Sequence, residues 1–429
     1  MKKLNTSPIS GMQELLPLDQ SVFNKFKREI EGVFHSHGFL EIETPTIDRS
    51  EILFAKAGGD TEKQIYKVVK TEETASDADQ ALRFDHTVPL ARYVAEHESN
   101  LAFPFRVTQI GRNFRGERAQ KGRFREFYQA DIDVIGRNDL PLEYDAEIIV
   151  TLFNALGKLN LPEKLVRISN RKILSGLLEE YNLDHLSKEI FNIIDHAEKV
   201  PAPVTKEKFL NLGIGEENVE KLLGFIEISG KLEEVRPKFK ELNVENEKFR
   251  TGVEELLYVL SLLEKQGLSG SATADMKIIR GLDYYTGTVF ETILPAYKEI
   301  GSVCSGGRYE NLAELYTDQK FPGVGGSIGL TRLFFVLNEY GLISEEKENP
   351  VDLALIPFSK DEFEFVFSLA EKFRAEGKTV DIVFSGKKLG DKLKYASKVA
   401  RFGIVIGEDE VKTGNYRIKN FETGEQVSA

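Results

Sequence analysis

The chain has 429 residues, a hydrophobic content of 41% and a formal net charge of −12, values typical of a globular protein with two or three domains. No apolar run is long enough to span a membrane, and the basic N-terminus lacks the apolar stretch of a secretory signal. The lone cysteine, Cys304, excludes an internal disulfide and a cysteine-based zinc site, so we expect a cytoplasmic protein without a structural metal.

Positive charge is concentrated in two segments of this acidic chain. Residues 106–125 hold seven basic residues against Glu117, and residues 385–401 hold six against Asp391. Two basic islands predict two contacts with polyanions, although a charge run is more often solvated surface.

The first part of the chain predicts a helix, an interrupted strand and a hairpin. Apolar residues recur at helical spacing over residues 22–34, and Gly38 is the expected end of that helix. The next segment, FLEIETPTID, predicts a strand broken at Pro45, because proline cannot donate a hydrogen bond to a sheet. Two further segments, FRVTQIGRNFR and RFREFYQADIDVIG, predict a hairpin with a basic loop at residues 116–122, and DAEIIVTLFNAL predicts a helix.

The pattern changes twice more along the chain. Leu and Ile alternate with Glu and Lys at helical spacing from Arg171 to Lys265, which predicts a helical insertion. Strand character returns at Ile278–Ile293, and a glycine-rich segment then leads into a helix. Beyond Pro350, strands and helices alternate, which predicts a small α/β domain with a mainly parallel sheet.

The segment Phe114–Phe127, FRGERAQKGRFREF, has arginines on both predicted strands. Arginine makes bidentate, permanently charged contacts with phosphates, and strand pairing would place Arg115 and Arg123 over one site. An exposed hairpin with ordinary Arg–Glu pairs fits the segment equally well.

The segment GVGGSIGLTRL places Arg332 near the start of a predicted helix, where the helix dipole also favours anions. Its glycines would let the backbone approach a flat ligand closely. The pattern is neither a P-loop nor a G-x-G-x-x-G motif, and a tight packing turn is the alternative.

The segment RGLDYYTGTVFE combines Arg280 with two adjacent tyrosines, Tyr284 and Tyr285. If the segment is a strand, alternation sends the two tyrosines to opposite faces, and only one faces a given pocket. A core aromatic strand with Arg280 in a salt bridge is the alternative.

Two acidic segments offer hydrogen-bond acceptors for an ammonium or imidazole group. They contain Asp85 with Thr87, and Asp131 and Asp133 with Gln129. The last three share one face of their predicted strand. Turn or salt-bridge roles are the alternative for such aspartates.

Together and in this order, these segments resemble the histidyl-tRNA synthetase family of class II aminoacyl-tRNA synthetases. FRGERAQKGRFREFYQADID is similar to motif 2 and GVGGSIGLTRL to motif 3, while the helix before Gly38 and the strand to Pro45 resemble motif 1. RGLDYYTGTVF and SGGRYENL resemble the two signatures that set the histidine enzymes apart.

The resemblance implies an α+β class II catalytic domain, an antiparallel sheet with flanking helices, in residues 1–168 and 258–342. A helical insertion domain is expected at residues 169–257 and an α/β anticodon-binding domain at residues 350–429. A homodimer formed through motif 1 is also implied.

The implied activity has two steps. Histidine and ATP form histidyl-adenylate and pyrophosphate, and histidine then passes to the 3′ end of tRNA(His). Mg²⁺ is expected with the phosphates of ATP, although the sequence shows no dedicated metal site.

The resemblance also implies roles for individual residues. The expected histidine contacts are Asp85, Thr87 and Gln129 at the α-amino group, and Asp133, Tyr284 and Tyr285 at the imidazole. The expected ATP contacts are Arg115, Glu117, Arg123 and Arg332. The expected catalytic residues are Arg115 and Arg280, which bring positive charge to the histidine carboxylate and the α-phosphate.

Some residues depart from the pattern of many bacterial members. Asp85 and Asp133 are aspartates where glutamate is common, and Ala119 stands where proline is common. Both aspartates match the pattern of the eukaryotic-type branch of the family. His86 matches the usual residue of neither the bacterial nor the eukaryotic-type branch, and the sequence offers no role for it.

A non-catalytic relative, the regulatory subunit of ATP phosphoribosyltransferase, is the alternative. It resembles the synthetase core and senses histidine. The presence of Arg115, Arg280 and Arg332, together with a C-terminal domain that has a basic helix, argues against it.

Overall fold

The structure is a computed structural model that describes residues 3–54, 62–72, 74, 78–118, 122–279, 284–343, 349 and 351–428. The chain forms two compact units, one of Met1–Glu14 with Phe26–Tyr340 and one of Leu15–Lys25 with Gly341–Ala429. Within the described ranges, no helix is both long and apolar enough to cross a membrane.

A nine-stranded sheet is the centre of the first unit. In spatial order its strands, numbered along the chain, are β1 (Leu40–Glu41), β5 (Phe105–Phe114), β6 (Glu126–Ile135), β12 (Gly323–Ile328), β11 (Cys304–Tyr309), β10 (Thr288–Ile293), β7 (Leu165–Asn170), β9 (Ala272–Asp275) and β8 (Ser229–Gly230). Pairing is antiparallel from β5 to β7 and from β9 to β8, and parallel between β1 and β5 and between β7 and β9. The predicted class II sheet and the β5–β6 hairpin are therefore confirmed.

The strand predicted around Pro45 is divided between two sheets. Its first part is β1, and its second part is β2 (Ile47–Arg49) in a small antiparallel sheet with β4 (Gln80–Leu82) and β3 (Lys67–Val68). The interruption at Pro45 is confirmed, because neither strand contains that residue.

Helices α3 (Thr87–His97), α4 (Glu143–Gly157) and α11 (Leu330–Glu339) pack on the large sheet. Helix α2 (Ser50–Phe54) packs on the small sheet, and α1 (Pro17–Ser36) is the first helix of the chain. Helix α1 is amphipathic as predicted, with Phe26, Ile30 and Phe34 at most 1% exposed, and Gly38 follows it at a φ of +79° that favours glycine.

The predicted helical region lies between β7 and β9. Its helices are α5 (Arg171–Glu180), α6 (Ser187–Asp195), α7 (Ala202–Asn211), α8 (Glu216–Ile226), α9 (Leu232–Glu241) and α10 (Glu247–Lys265). The two-residue strand β8 lies between α8 and α9. The boundaries of a separate insertion domain stay a prediction.

The second unit contains a five-stranded sheet. In spatial order its strands are β14 (Val380–Ile382), β13 (Val351–Pro357), β15 (Ala400–Ile406), β16 (Arg417–Asn420) and β17 (Gln426–Ser428). The first three are parallel, and the last two form the predicted terminal hairpin. The helices are α12 (Phe363–Ala375), α13 (Leu389–Val399) and α14 (Glu408–Thr413). The prediction of a mainly parallel α/β domain is confirmed.

Candidate active site

One face of the large sheet borders a cavity of about 650 Å³ in the first unit. Its wall includes the β5–β6 hairpin, strands β10 to β12 and the start of α11. Among the predicted site residues, those that line it are Arg115, Glu117, Arg123, Gln129, Tyr285 and Arg332. Residues that are distant in the sequence therefore meet at one site.

Arg115 is held between two aromatic rings. Its guanidinium carbon lies 4.4 Å from the ring centre of Phe84 and 5.0 Å from that of Phe127. Its Nε donates to the carbonyl oxygen of Phe84 at 3.3 Å, and its backbone N–H donates to the Arg125 carbonyl at 2.9 Å. The planar charge is thus oriented before any ligand arrives.

Ordinary ion pairs account for part of the arginine hairpin. Arg123 pairs with Glu117 at 3.4 Å, and Arg112 pairs with Glu126 across the strands at 3.0 Å. An exposed hairpin with ordinary Arg–Glu pairs, the alternative for this segment, is therefore the correct description of Arg112. Arg123 and Glu117 form such a pair and also line the cavity.

Arg332 lies in the first turn of α11, as the glycine-rich segment predicted. Its Nη2 donates to the carbonyl oxygen of Ile300, and its side chain passes close to Gly122 and Gly301. A cationic side chain is therefore held between the motif 2 loop and the segment after β10.

The two tyrosines of RGLDYYTGTVFE do not belong to a strand. Strand β10 begins at Thr288, so the strand predicted for Ile278–Ile293 is wrong for Tyr284 and Tyr285, and alternation does not apply to them. Their rings lie 4.9 Å apart at 68°, and the ring of Tyr284 is 6.1 Å from that of Tyr309. Both tyrosines thus belong to one aromatic group, and Tyr285 lines the cavity. Arg280 lies outside the described residues.

Asp133 is buried next to this aromatic group. Its side chain is 5% exposed, and its Oδ1 accepts a hydrogen bond from the Tyr309 hydroxyl at 3.1 Å. Burial raises the pKa of Asp133 well above its usual range, and the neighbouring Asp131 adds to this shift. A ligand cation or N–H donor here would restore the ionised form.

Two glycines give these side chains room. A Cβ on Gly307 would lie 2.9 Å from the Tyr285 ring, and a Cβ on Gly325 would overlap the Asp133 carboxylate. The glycine-rich sequence of β11 and β12 is therefore a requirement of the pocket wall.

Asp85 and Thr87 lie at the start of α3. Asp85 is 6% exposed, and its Oδ1 accepts from the Val88 N–H at 3.0 Å. Burial raises the pKa of Asp85, and the Val88 hydrogen bond partly offsets this. Thr87 is the first residue of the helix. Burial raises the pKa of the Tyr284 hydroxyl, and a hydrogen bond with the Thr87 side chain partly offsets this rise.

His86, which the sequence left without a role, joins a buried polar network. Its Nδ1 lies 2.8 Å from Asp131 Oδ2, and His86 is 1% exposed. Asn113 donates to Gln129 Oε1 at 2.9 Å, and Gln129 Nε2 donates to Ser327 Oγ at 2.6 Å. Gln129 is therefore oriented at both ends of its amide.

Sequence reasoning missed Arg167 and its partners. The Arg167 guanidinium contacts Glu291 at 3.0 Å, Asp275 at 2.9 Å, and Glu198, which lies just after α6. Glu291 also lines the cavity, as does Lys199. Isolated charges on separate strands carry no local signal that they will meet, whereas Tyr309 was present in the SGGRYENL signature.

Comparison with known proteins agrees with this geometry. A family model described as histidyl-tRNA synthetase matches residues 11–333, and a model of an anticodon binding domain matches residues 352–429. The histidine–tRNA ligase of Clostridium tetani is 45% identical over 100% of this chain and 97% of its own length, and that of Finegoldia magna is 41% identical over 99% and 97%.

Solved structures give the same picture. The crystal structure of histidyl-tRNA synthetase from Nostoc is 36% identical, with a TM-score of 0.87, and the match covers 100% of this chain and 97% of that one. A Bacillus halodurans protein titled as an ATP phosphoribosyltransferase regulatory subunit/histidyl-tRNA synthetase shares the fold, with 22% identity, a TM-score of 0.77 and coverage of 95% and 99%. The full-length identity and the two family models show that the chain belongs to the histidyl-tRNA synthetase family.

Proposed function

We propose that the chain is an ATP-dependent ligase that joins histidine to tRNA(His). The observation that carries this proposal is a single cavity that combines the clamped guanidinium of Arg115 with Arg332, Gln129 and Tyr285. Two cations for a triphosphate thus lie beside polar groups for an amino acid. The regulatory alternative explains the amino-acid groups but not the cations.

Histidine is proposed to bind beside the buried carboxylates. Asp85 and Thr87, with the oriented Gln129, receive the α-amino group, and Asp133 and Tyr285 receive the imidazole. A buried carboxylate whose pKa is raised by desolvation gains most from a ligand that brings positive charge or N–H donors. A competitor without an imidazole would leave these groups unpaired, which is strongly unfavourable in a buried site.

Tyr284 is proposed to support this pocket from behind. Its hydroxyl is buried, and its ring contacts the rings of Tyr285 and Tyr309. Packing by Tyr284 would hold Tyr285 against Gly307.

Adenylate formation requires positioning more than acid–base chemistry. The histidine carboxylate, already ionised, attacks the α-phosphorus and forms a C–O–P linkage, while the bond to the β-phosphate breaks and pyrophosphate leaves. Arg115 holds the carboxylate and the α-phosphate, Arg280 offsets the developing negative charge, and Arg332 binds the ATP. Glu117 and Arg123 are proposed to contact the nucleotide at the hairpin loop.

Transfer completes the cycle. The ribose 3′-hydroxyl at the end of the tRNA attacks the carbonyl carbon of the adenylate, and AMP leaves. The second unit is proposed to contact the anticodon region of the same tRNA. We also propose a cytoplasmic homodimer, supported by the resemblance of α1 and β1 to motif 1.

Mg²⁺ is proposed to accompany ATP. Glu291 and Glu299 line the cavity, and Mg²⁺ commonly binds through one or two carboxylates together with substrate phosphates. When bound, the ion would neutralise phosphate charge.

Pyrophosphate exchange into ATP tests the function. We expect exchange that requires histidine, followed by charging of tRNA(His). Histidine binding without exchange would support the regulatory alternative, and exchange driven by another amino acid would indicate a different adenylating enzyme.

A further inference from the structure

His86 is a buried imidazole to which the proposed reaction gives no role. Its Nδ1 lies 2.8 Å from Oδ2 of Asp131 on β6, and the two side chains are 2% and 8% exposed. The other nitrogen of His86, Nε2, and the other oxygen of Asp131, Oδ1, have no hydrogen-bond partner among the residues that the structure describes. His86 is therefore the residue that holds the Asp131 carboxylate.

Asp131 is one of three buried carboxylates beside the proposed histidine pocket. It shares β6 with Asp133, and Asp85 lies just before α3. Burial is the largest cause of the raised pKa of Asp85 and of Asp133, and the charge of Asp131 raises both further. Like charges repel strongly where water is excluded, so three buried carboxylates together tend to take up a proton.

Two arginines near these carboxylates are held by other contacts. Arg83 is 3% exposed, and its guanidinium donates to the carbonyl oxygens of Thr44 at 2.7 Å and Arg112 at 2.8 Å. Arg115 lowers the pKa of Asp85, but it lines the cavity in which ATP is proposed to bind. Neither arginine has a described hydrogen bond to Asp131, which leaves that carboxylate to His86.

The backbone of β5 leaves room for the imidazole. Gly111 on β5 is paired with Gln129 on β6. A Cβ on Gly111 would lie 3.1 Å from His86 Nε2 and 2.6 Å from Arg83 Nη2. A larger residue at this position would therefore displace both cationic side chains from the hairpin.

Other titratable groups also surround the His86–Asp131 pair. His86 borders a second cavity, of about 400 Å³, and the charged or titratable residues that line it with His86 are Lys27, Glu41, Glu43, Arg83, Arg112 and Tyr128. On the side of the active site, Tyr285 and Cys304 lie near Asp131, and burial raises the pKa of each, so both are neutral. The ion pair described for His86 is the one with Asp131.

We propose that His86 is a positioning residue of the histidine pocket, which acts through Asp131 by holding the proton that the buried carboxylates would otherwise take up. An imidazole is the better site for this proton, because its ordinary pKa is about 6.5 whereas that of an aspartic acid is about 3.9. With the proton on His86, Asp85 and Asp133 stay ionised and attract the ammonium and imidazole groups of the substrate. The inference rests on the proposed ligase function and adds to it a residue that does not itself touch the substrate.

His86→Leu tests this role in histidine-dependent pyrophosphate exchange measured across pH. Leucine fills a similar volume but holds no proton, so Asp85 and Asp133 should become protonated at a higher pH. Affinity for histidine is lost as pH falls through the pKa of these carboxyls, so the midpoint of the loss should move up by about one unit. Below the midpoint this is a rise of about tenfold in the KM for histidine. The kcat and the KM for ATP should be nearly unchanged.

Asp131→Asn should shift the midpoint in the opposite direction. The substitution keeps the shape of the side chain and removes one negative charge, so Asp85 and Asp133 stay ionised to a lower pH. Combining it with His86→Leu should return the KM for histidine to about the value of the unsubstituted protein. Two substitutions that only damaged packing would instead both weaken binding.

His97→Leu is the matched control. His97 lies in the last turn of α3, and its ring centre is 4.6 Å from that of Tyr93. Loss of this imidazole should leave the midpoint and both KM values unaltered. Thermal denaturation shows which variants are folded. If His86→Leu is not, His86→Asn gives the same test, because an amide donates to Asp131 but does not hold the proton.

Two results would overturn the inference. One is an unchanged midpoint in the folded His86 variant, and the other is a double variant that binds histidine no better than His86→Leu. Absence of exchange in the unsubstituted protein would instead refute the ligase function. Calorimetric titration with histidine would then still test His86, with the same expected shift in the pH dependence of Kd, and absence of histidine binding would overturn both proposals.

Discussion

The Tyr309 hydroxyl donates a hydrogen bond to Asp133 across 3.1 Å, joining the strand that carries the second histidine signature to the strand that carries the motif 2 aspartate. Both side chains are buried, at 2% and 5% exposure. This bond favours the ionised carboxylate, which burial otherwise disfavours. We infer that Tyr309 is a positioning residue that keeps Asp133 ready for the imidazole.

Tyr309→Phe should weaken histidine binding and change its pH dependence. Asp133 must be ionised to attract the ligand, so affinity is lost as pH falls through the pKa of this carboxyl. Removing the hydroxyl raises that pKa further, and the midpoint of the loss should move to higher pH. At neutral pH we expect the KM for histidine to rise about 10- to 100-fold, the effect of losing a hydrogen bond to a charged group.

Histidine-dependent exchange measured across pH checks this. The histidine substrate also titrates, but its contribution is identical in the two proteins and cancels in the comparison. If the two profiles had the same midpoint, Tyr309 would have only a packing role.

Gly307→Ala should disturb Tyr285. The added methyl group would lie 2.9 Å from the Tyr285 ring and 2.7 Å from the Thr288 carbonyl oxygen, so the ring has to move out of the pocket wall. We expect the KM for histidine to rise about tenfold or more, with a smaller change for ATP, because displaced packing of this size costs about 1–3 kcal/mol.

Gly224→Ala in α8 is the control for that substitution. A Cβ there has no neighbour within 4 Å, so the change should leave both KM values unaltered and slightly stabilise the helix. Comparable losses in the two variants would point to general unfolding, which thermal denaturation would reveal.

Arg115→Lys should reduce catalysis despite keeping the charge. Lysine cannot lie as a flat group between Phe84 and Phe127 or bridge two oxygen atoms at once. We expect kcat for adenylate formation to fall about 10²- to 10³-fold. Arg112→Lys, three residues earlier on β5 and in a partly exposed pair with Glu126, should retain nearly full activity in a single-turnover assay.

Arg280→Ala should lower adenylate formation by orders of magnitude with little effect on the free energy of unfolding. The expected reason is loss of the positive charge that meets the developing charge on the α-phosphate. Quenched-flow measurement of adenylate, together with chemical denaturation, separates the two effects. If the rate of adenylate formation fell only twofold, Arg280 would have the alternative role of a partner in a salt bridge.

The sequence alone was sufficient for the elements whose signal is local. The periodicity of α1, the hairpin of β5 and β6, and the strand–helix alternation of the second unit come from neighbouring residues, and the structure has all three. The order of the motifs was also enough to indicate the family, because each quoted segment is short and continuous.

Tertiary structure decided what depends on contacts between distant segments. Tyr284 and Tyr285 share one aromatic group because both lie outside strand β10, where the alternation of side chains does not apply. His86 meets Asp131 only when α3 packs near β6, and Lys392 is buried because its ammonium group bonds the end of β13. The type of a side chain limits which hydrogen bonds and ion pairs it can make. Which partner residue lies within bonding distance is determined only by the folded backbone.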